Sequence, residues 1–237
     1  MANNYFKFKQ FTVYQEHAPF KITTDSVLLG AWAKIEGAKK ILDIGTGTGI
    51  LALMAAQRTD AQIIAIEPNP GSYMQAGLNF TGSLWYDRIT LFNSTVQEYK
   101  PDTGLLFDAV ITNPPYFIDS LPNPDPGKAR ARHSLTLSYQ ELLEAVLRLL
   151  TPSGTLHLVL PVNEASRFMD MASSSGLYCC RRLYVRPTMA LPPARVLMTL
   201  AHENKTAEES TIVVEKGGRH KYSDEYVSLT KDFYLKF

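Results

Sequence analysis

Short apolar runs alternate with longer helix-like segments along most of this chain, from about Lys39 onward. The helical pattern is clearest over residues 138–150, where Ser138 and Glu141 also form a capping-box pattern. Strands that alternate with helices imply βαβ units and a parallel sheet, so the sequence predicts an α/β fold. The predicted strands are residues 40–44, 63–67, 89–93, 107–112, 155–160, 177–185 and 195–201.

The last two predicted strands are joined by residues 186–194 alone, without a helix. A connection this short favours an antiparallel hairpin. We therefore expect a mostly parallel, seven-stranded sheet with an antiparallel hairpin at its edge. No linker rich in proline, glycine or serine divides the chain, so we expect one domain. Its expected parts are an N-terminal segment (1–36), a core (37–202) and a C-terminal extension (203–237), which holds one further predicted strand.

The composition excludes wholesale disorder, a collagen-like repeat and a bare coiled coil. Hydrophobic residues make up 45% of the 237 residues, which is ample material for a buried core. The adjacent Cys179 and Cys180 suit neither a disulfide framework nor a zinc site, and the histidines lack ligand-like spacing, so we expect no metal. Neither a secretory signal nor a membrane-spanning run is present, which predicts a cytoplasmic protein. The net charge of +1 does not bear on nucleic-acid binding.

A glycine-rich loop follows the first predicted strand. It contains Gly45, Gly47 and Gly49 at alternating positions, after Asp43. Glycines let the backbone pass close to a ligand, and nucleotides bind at the carboxyl ends of strands in sheets of this kind. Glu67 ends the second predicted strand, where a carboxylate can accept both hydroxyls of a ribose. The loop therefore predicts a nucleoside-containing ligand.

Two common nucleotide loops are excluded by spacing. The dinucleotide pattern G-x-G-x-x-G fails because its sixth position, counted from Gly45, is Ile50. The chain also lacks the phosphate-loop pattern G-x-x-x-x-G-K-[ST]. An ordinary strand-to-helix turn without a ligand is the alternative, and the placed Glu67 argues against it.

The fourth predicted strand is followed at once by Asn113-Pro114-Pro115-Tyr116. Two successive prolines fix the backbone and remove two N–H donors, so carbonyl oxygens face outward from a rigid turn. The Asn113 side-chain oxygen and the Pro114 carbonyl can each accept one hydrogen of a planar –NH₂ group, while the Tyr116 ring stacks on it. An ordinary Pro-Pro loop is the alternative.

This arrangement suits methylation of a conjugated amine. The nitrogen of such an amine is a poor nucleophile because its lone pair is delocalised, and holding its hydrogens out of plane would localise that lone pair. A sulfonium methyl donor is already activated, so alignment and electrostatics supply most of the acceleration without a strong base.

The glycine loop and its acidic residue resemble the S-adenosylmethionine loop of class I methyltransferases. Together with Asn-Pro-Pro-Tyr they resemble the N6-adenine and N5-glutamine amino-methyltransferases. Residues 6–33, 129–143 and 223–237 are in addition similar to the bacterial tRNA(Val) adenine-37 N6-methyltransferase family. The resemblance covers nearly the whole chain and implies a Rossmann-like class I methyltransferase fold.

The resemblance implies S-adenosylmethionine as the cofactor and assigns residues to it. In that reading the segment 1–36 covers the site, with Thr24 and Asp25 over the methionine end of the cofactor. The catalytic residues would be Asn113, Pro114, Pro115 and Tyr116. The cofactor-binding residues would be Thr24, Asp25, Asp43, Gly45, Thr46, Gly47, Gly49, Glu67, Pro68, Thr95 and Asn113.

Two positions depart from the family pattern. Thr95 stands where such enzymes often carry an aspartate that contacts the cofactor adenine, which predicts weaker cofactor binding. Phe20 replaces a methionine, which is a mild change.

The implied substrate is an adenine in a tRNA anticodon loop, with no obligate protein partner and no membrane. Lys128, Arg130, Arg132 and His133 follow the catalytic turn and would meet the phosphate backbone, with Lys21 as a further contact. A merely solvated loop is an equally good interpretation of these residues without the resemblance.

Other functions compete with this one. N5-methylation of a protein glutamine, as on a release factor, uses the same turn, but that family carries a larger helical N-terminal domain. N6-methylation of another RNA or of DNA is also compatible with the motif. A catalytically silent nucleotide-binding module would not need the intact Asn113–Tyr116 turn.

Overall fold

The computed structural model describes residues 4–114 and 137–237. Its strands are β1 (Tyr5–Lys7), β2 (Thr12–Tyr14), β3 (Lys40–Ile44), β4 (Gln62–Ile66), β5 (Ile89–Phe92), β6 (Phe107–Thr112), β7 (Leu150–Pro161), β8 (Tyr178–Thr188), β9 (Arg195–Ala201) and β10 (Glu208–Glu215). Its helices are α1 (Thr24–Trp32), α2 (Ile50–Arg58), α3 (Pro70–Thr81), α4 (Tyr139–Leu149), α5 (Val162–Ser174) and α6 (Asp224–Thr230).

The large sheet has eight strands in the order β10-β8-β9-β7-β6-β3-β4-β5. All neighbouring pairs are parallel except those that β9 makes with β7 and β8. The α/β fold and the antiparallel hairpin are therefore confirmed, but the count of seven strands is wrong by one. The C-terminal extension returns alongside β8, where β10 pairs its backbone and buries Ile212, so the hairpin lies one strand in from the edge.

Local signals set most element boundaries. The predicted capping box is present at α4, where Glu141 N donates to Ser138 Oγ and Ser138 N donates to the Glu141 carboxylate. The predicted strand 155–160 begins earlier than expected, because the structure continues directly from α4 into β7 at Leu150. The early part of β7 pairs irregularly with β6, which accommodates Pro152 and Gly154 within the strand.

Helices cover both faces of the large sheet and bury two apolar layers. One layer contains Ile41 and packs under α1, α2 and the N-terminal residues. The other contains Leu42 and Ile44 and packs under α4 and α5. Asp43 shares the face of Ile41 because side chains alternate along a strand. This alternation places its carboxylate beneath α2, in the buried layer.

The N-terminal residues and the C-terminal extension pack against each other. β1 and β2 form a small antiparallel sheet, and Phe8 bridges to Tyr234. Lys9 Nζ donates to the carbonyls of Lys231 at 2.6 Å and Phe237 at 2.8 Å. We call the rings that meet here the terminal cluster. Its members are Phe6, Phe8, Phe11, Tyr222, Tyr226, Tyr234 and Phe237.

Within residues 4–114 and 137–237, no helix combines the length and apolar character needed to cross a bilayer.

Candidate active site at the carboxyl edge of the sheet

Three loops meet at one edge of the large sheet. β3 lies between β6 and β4, and all three strands run parallel, so the segments that follow them emerge side by side. The glycine loop follows β3, Glu67 follows β4 and Asn113 follows β6. Sheet topology thus brings together the three motifs that the sequence analysis selected separately.

The glycine loop uses backbone angles that favour glycine. Gly45, Gly47 and Gly49 have φ values of 68°, 58° and 86°. A Cβ at Gly49 would clash with the Phe80 ring, whereas a Cβ at Gly45 or Gly47 would meet nothing within 4 Å among the described residues. One side of the loop is therefore packed against α3, and the other is open to a ligand.

Asp43 is buried beneath this loop. Its Oδ2 accepts hydrogen bonds from Thr46 Oγ1 at 2.5 Å and from Ala52 N at 3.1 Å. Its Oδ1 is also buried and has no hydrogen-bond partner among the residues that the structure describes. Burial raises the pKa of Asp43 to about 7, and the nearby Glu67 carboxylate adds to this effect. The carboxyl group supports the loop and keeps one oxygen available to a donor.

Glu67 joins the loops after β3 and β4. Its Oε2 accepts from Gly47 N at 2.8 Å, and its Oε1 accepts from Asn69 N at 2.9 Å. The side chain is buried, and burial raises its pKa. Asn93 Nδ2 donates to the Glu67 carbonyl at 2.8 Å, while Pro68 is half-buried beside it. Each carboxylate oxygen keeps a lone pair, so Glu67 can still accept hydroxyl groups.

Asn113 lies beside the start of α1. Its Nδ2 donates to Ser26 Oγ at 2.9 Å. The preceding residue is also fixed, because Thr112 Oγ1 donates to the Ile44 carbonyl at 2.9 Å. Pro114 is buried. Pro115 and Tyr116, which complete the predicted catalytic turn, lie outside the described residues.

The first turn of α1 carries two predicted cofactor residues. Thr24 is exposed, directly after the N-cap Thr23. Asp25 is half-buried, and its Oδ2 accepts from Arg195 Nε at 2.8 Å. The helix N-terminus is thereby held against the start of β9, at the same edge of the sheet as the glycine loop.

Thr95 follows β5, at the outer end of this edge. Its hydroxyl donates to Glu98 Oε2 at 2.9 Å and accepts from Glu98 N at 3.3 Å, so it closes a local turn. Of the predicted RNA-contacting residues, the structure describes Lys21. Lys21 Nζ donates to the Gln15 carbonyl. Lys128, Arg130, Arg132 and His133 lie outside the described residues.

A cavity lies elsewhere among the described residues. It measures about 580 Å³ and is lined by Lys9, Gln57, Arg58 and Asp232, among others. Gln57 and Arg58 end α2, so this cavity lies toward the opposite edge of the sheet from the glycine loop. None of the predicted site residues that the structure describes lines it. In the parts of the chain that the structure describes, no cluster of three metal-ligating side chains is present.

Sequence reasoning missed three residues of this site. Ser26, Asn93 and Arg195 each bond a predicted residue or its backbone. Asn93 is the last residue of a predicted strand (89–93), and this position could have signalled it. Ser26 and Arg195 are 87 and 170 residues from their partners, and no local pattern marks such contacts.

The glycine loop follows β3, an acidic residue follows β4 on one side of it, and Asn-Pro follows β6 on the other side. This arrangement on a mostly parallel sheet defines a Rossmann-like methyltransferase. The family model described as methyltransferase small domain matches residues 22–174. A methyltransferase from Agrobacterium tumefaciens, described as a predicted O-methyltransferase, superposes with a TM-score of 0.67 over 88% of this chain and 96% of its own, at 18% identity. That likeness concerns the fold.

The chain belongs to the tRNA1(Val) (adenine(37)-N6)-methyltransferase family. The family member from Bacteroides fragilis is 44% identical over 237 residues, which cover 100% of both chains. The member from Trichodesmium erythraeum is 39% identical over 240 residues, again covering 100% of both. The family resemblance drawn from the sequence is confirmed.

Proposed function

We propose that this chain transfers a methyl group from S-adenosylmethionine to N6 of adenine 37 in tRNA1(Val). The observation that carries the proposal is the position of Asn113 and Pro114 at the end of β6, next in the sheet to β3 and its glycine loop. A methyl donor on the loop and an amine acceptor on the turn would then be neighbours. The full-length relatives bear the name of this reaction.

The residues at the carboxyl edge fit this cofactor. The open side of Gly45 and Gly47 leaves room for a ligand against the backbone. Glu67 would accept the ribose hydroxyls, and the buried, unpartnered Asp43 Oδ1 is available to a donor from the ligand or from water. The remaining residues proposed to line the cofactor are Thr24, Asp25, Thr46, Gly49, Pro68, Thr95 and Asn113. When bound, the cofactor supplies an activated sulfonium methyl group.

The chain's own contribution to the reaction is alignment. Asn113 Oδ1 and the Pro114 carbonyl would each accept one hydrogen of the adenine amine and turn its lone pair toward the methyl group. Pro115 lacks an N–H that could compete, and Tyr116 would stack on the base. Both acceptors are neutral, so they orient the amine without removing its proton before transfer. Positioning of this kind explains why residues 113–116 need no histidine or lysine base among themselves.

The proposed partner is tRNA. An unpaired loop base costs less to extrude than a base within a duplex, which suits a small enzyme. We propose that Lys128, Arg130, Arg132 and His133 contact the phosphate backbone. Lys21 could join them only by giving up its bond to the Gln15 carbonyl.

We also propose that residues 1–237 act as one methyltransferase domain. The expected segment 1–36, core 37–202 and extension 203–237 share one apolar layer, which includes Phe8, Leu53 and Tyr226. The N-terminal segment supplies α1 to the site, and the extension packs behind it.

The proposed reaction is tested by methyl transfer to tRNA from a strain that lacks the gene. Purified chain, tritiated S-adenosylmethionine and this tRNA should yield N6-methyladenosine at position 37 of tRNA1(Val), detected by nucleoside analysis. Asn204→Ala, at an exposed position after β9, serves as a control and should be fully active. Label on a protein glutamine, with none on tRNA, would instead support the release-factor type of substrate.

A further inference from the structure

A serine on a separate element contacts the side chain of Asn113. Ser26 lies in the first turn of α1, 87 residues before Asn113, and its Oγ is 2.9 Å from Asn113 Nδ2. Ser26 is only 7% exposed, so water competes little for this hydrogen bond.

The direction of this bond matters for the proposed chemistry. A side-chain carboxamide has a donor end and an acceptor end, and rotation by about 180° exchanges them. Only Oδ1 can accept a hydrogen from the adenine amine, whereas a rotated amide would present its own hydrogens. With Nδ2 donating to Ser26, Oδ1 is the end of the carboxamide that remains suited to accept from the amine. Thr23 Oγ1 lies 3.4 Å from Ser26 Oγ and can accept a hydrogen bond from the serine hydroxyl. The lone pairs of the serine oxygen are then available to accept from Asn113.

The helix that carries Ser26 is itself fixed at both ends. At its start, Asp25 pairs with Arg195 at 2.8 Å. At its end, Arg58 Nη2 donates to the Ala33 carbonyl at 2.7 Å, and Arg181 Nη1 donates to the Trp32 carbonyl at 3.1 Å. A hydroxyl on a helix held in this way provides a fixed reference point for a neighbouring side chain.

We propose that Ser26 is a positioning residue, which holds the Asn113 carboxamide with its oxygen toward the target amine. The assignment rests on the proposed function, because it concerns the same amine-binding turn. Ser26 would act through Asn113 and would not itself touch the substrate.

Steady-state kinetics of Ser26→Ala provide the first test. Loss of one neutral hydrogen bond should lower kcat by roughly 3- to 10-fold, with KM for cofactor and tRNA within about twofold of wild type. Ser26→Thr keeps the hydroxyl and should recover most of the rate. An unchanged kcat, or a change confined to KM, would overturn the proposal.

A double-mutant cycle with Asn113→Ala separates positioning from other effects. If Ser26 acts through Asn113, Ser26→Ala should lower kcat no further in the Asn113→Ala background. An equal loss in both backgrounds would show that Ser26 acts elsewhere and would overturn the assignment. Ser223→Ala is the matched control, since Ser223 is 2% exposed and its hydroxyl caps α6 away from the site. It should lower the Tm and leave kcat unchanged.

Side-chain amide NMR tests the contact without any substrate. The Asn113 carboxamide signals can be assigned by their absence in Asn113→Ala. In Ser26→Ala they should shift and exchange faster with water, and unchanged signals would overturn the proposal. An absence of tRNA methylation by the wild-type chain would count against the proposed function, whereas this measurement would still decide whether Ser26 holds Asn113.

Discussion

The carboxyl edge of the large sheet and the terminal cluster are built on different principles. At the carboxyl edge, Asp43, Glu67 and Asn113 are oriented by hydrogen bonds, and Asp43 keeps an unpartnered oxygen. In the terminal cluster, Phe8 is 1% exposed and stacks on Phe11 and Tyr234 at ring-centre distances of 4.8 and 5.9 Å. The carboxyl edge thus presents polar groups that can bind a ligand, whereas the rings of the terminal cluster already pack against one another. Substitutions should therefore separate activity from stability.

Phe8→Ala should have the largest effect of the substitutions, and this effect should be a loss of unfolding free energy. Removing a buried phenylalanine from a packed site typically costs about 3–5 kcal/mol in unfolding free energy. Protein that remains folded should keep a wild-type kcat, because Phe8 does not touch the site. Denaturant unfolding checks the first point and kinetics at low temperature the second. Tyr86→Ala removes an exposed ring and should change stability by less than about 0.5 kcal/mol. A loss of kcat in folded Phe8→Ala would show that the two regions are coupled.

Asn113→Ala should lower activity and leave stability nearly unchanged, which is the opposite of Phe8→Ala. Loss of a preorganised acceptor should lower kcat by roughly 10²–10³-fold, while cofactor and tRNA binding change far less. Asn113 is at a strand end and partly exposed, so the Tm should change little. Single-turnover methyl transfer and thermal unfolding measure the two effects. A variant that is active but unstable would assign Asn113 to the framework.

Glu67→Ala should weaken S-adenosylmethionine binding by about 1–3 kcal/mol, since two charge-assisted acceptors are lost. Glu67→Gln keeps one oxygen and should lose less. Calorimetric titration with the cofactor distinguishes the two variants. Equal affinity in Glu67→Ala and wild type would remove Glu67 from the cofactor site.

The smallest expected effects concern the pH dependence of stability, to which the buried Asp43 and His157 contribute in opposite directions. Because burial raises the pKa of Asp43 from 3.8 to about 7, the folded chain retains a proton that the unfolded chain has lost across this range. Asp43 thus makes unfolding free energy fall with rising pH, by up to about 1.4 kcal/mol per pH unit. His157 is buried between Thr155 and Thr199, and burial lowers its pKa from 6.5 to about 3, so its contribution rises with pH.

The two contributions oppose each other between about pH 4 and 6.5. Asp43→Asn should therefore make stability rise more steeply with pH in this window, and His157→Gln should make it rise less or fall. Urea unfolding at several pH values measures both slopes. Parallel curves for wild type and Asp43→Asn would contradict the raised pKa.

The sequence predicted most of the carboxyl edge because its motifs are local. Continuous apolar runs gave the bounds of β3, β6 and β9 without error, and the glycine loop directly follows the first of these. Parallel strand topology then brought Glu67 and Asn113 to the same edge. Local sequence was sufficient because each motif begins where a strand ends.

The partners of these residues were not predictable in the same way. Arg195 meets Asp25 across 170 residues, and β10 joins β8 through backbone pairing that depends little on which side chains are present. The strands β1 and β2 have three residues each, too few for a period to be recognised. Contacts of this kind follow from the assembled fold.

The packing of the N-terminal residues on the C-terminal extension also sets an order of events during synthesis. The ribosome adds 222 residues after Lys9 before it reaches Lys231, the hydrogen-bond partner of Lys9. At about 5–20 residues per second, that interval is roughly ten to forty seconds. Throughout it, Phe8 lacks the Tyr234 ring that later stacks on it, and α1 lacks α6 behind it. The parallel strands β3 to β7 can therefore form in the nascent chain well before the support behind Ser26 is complete, so binding of cofactor and full activity need not begin together.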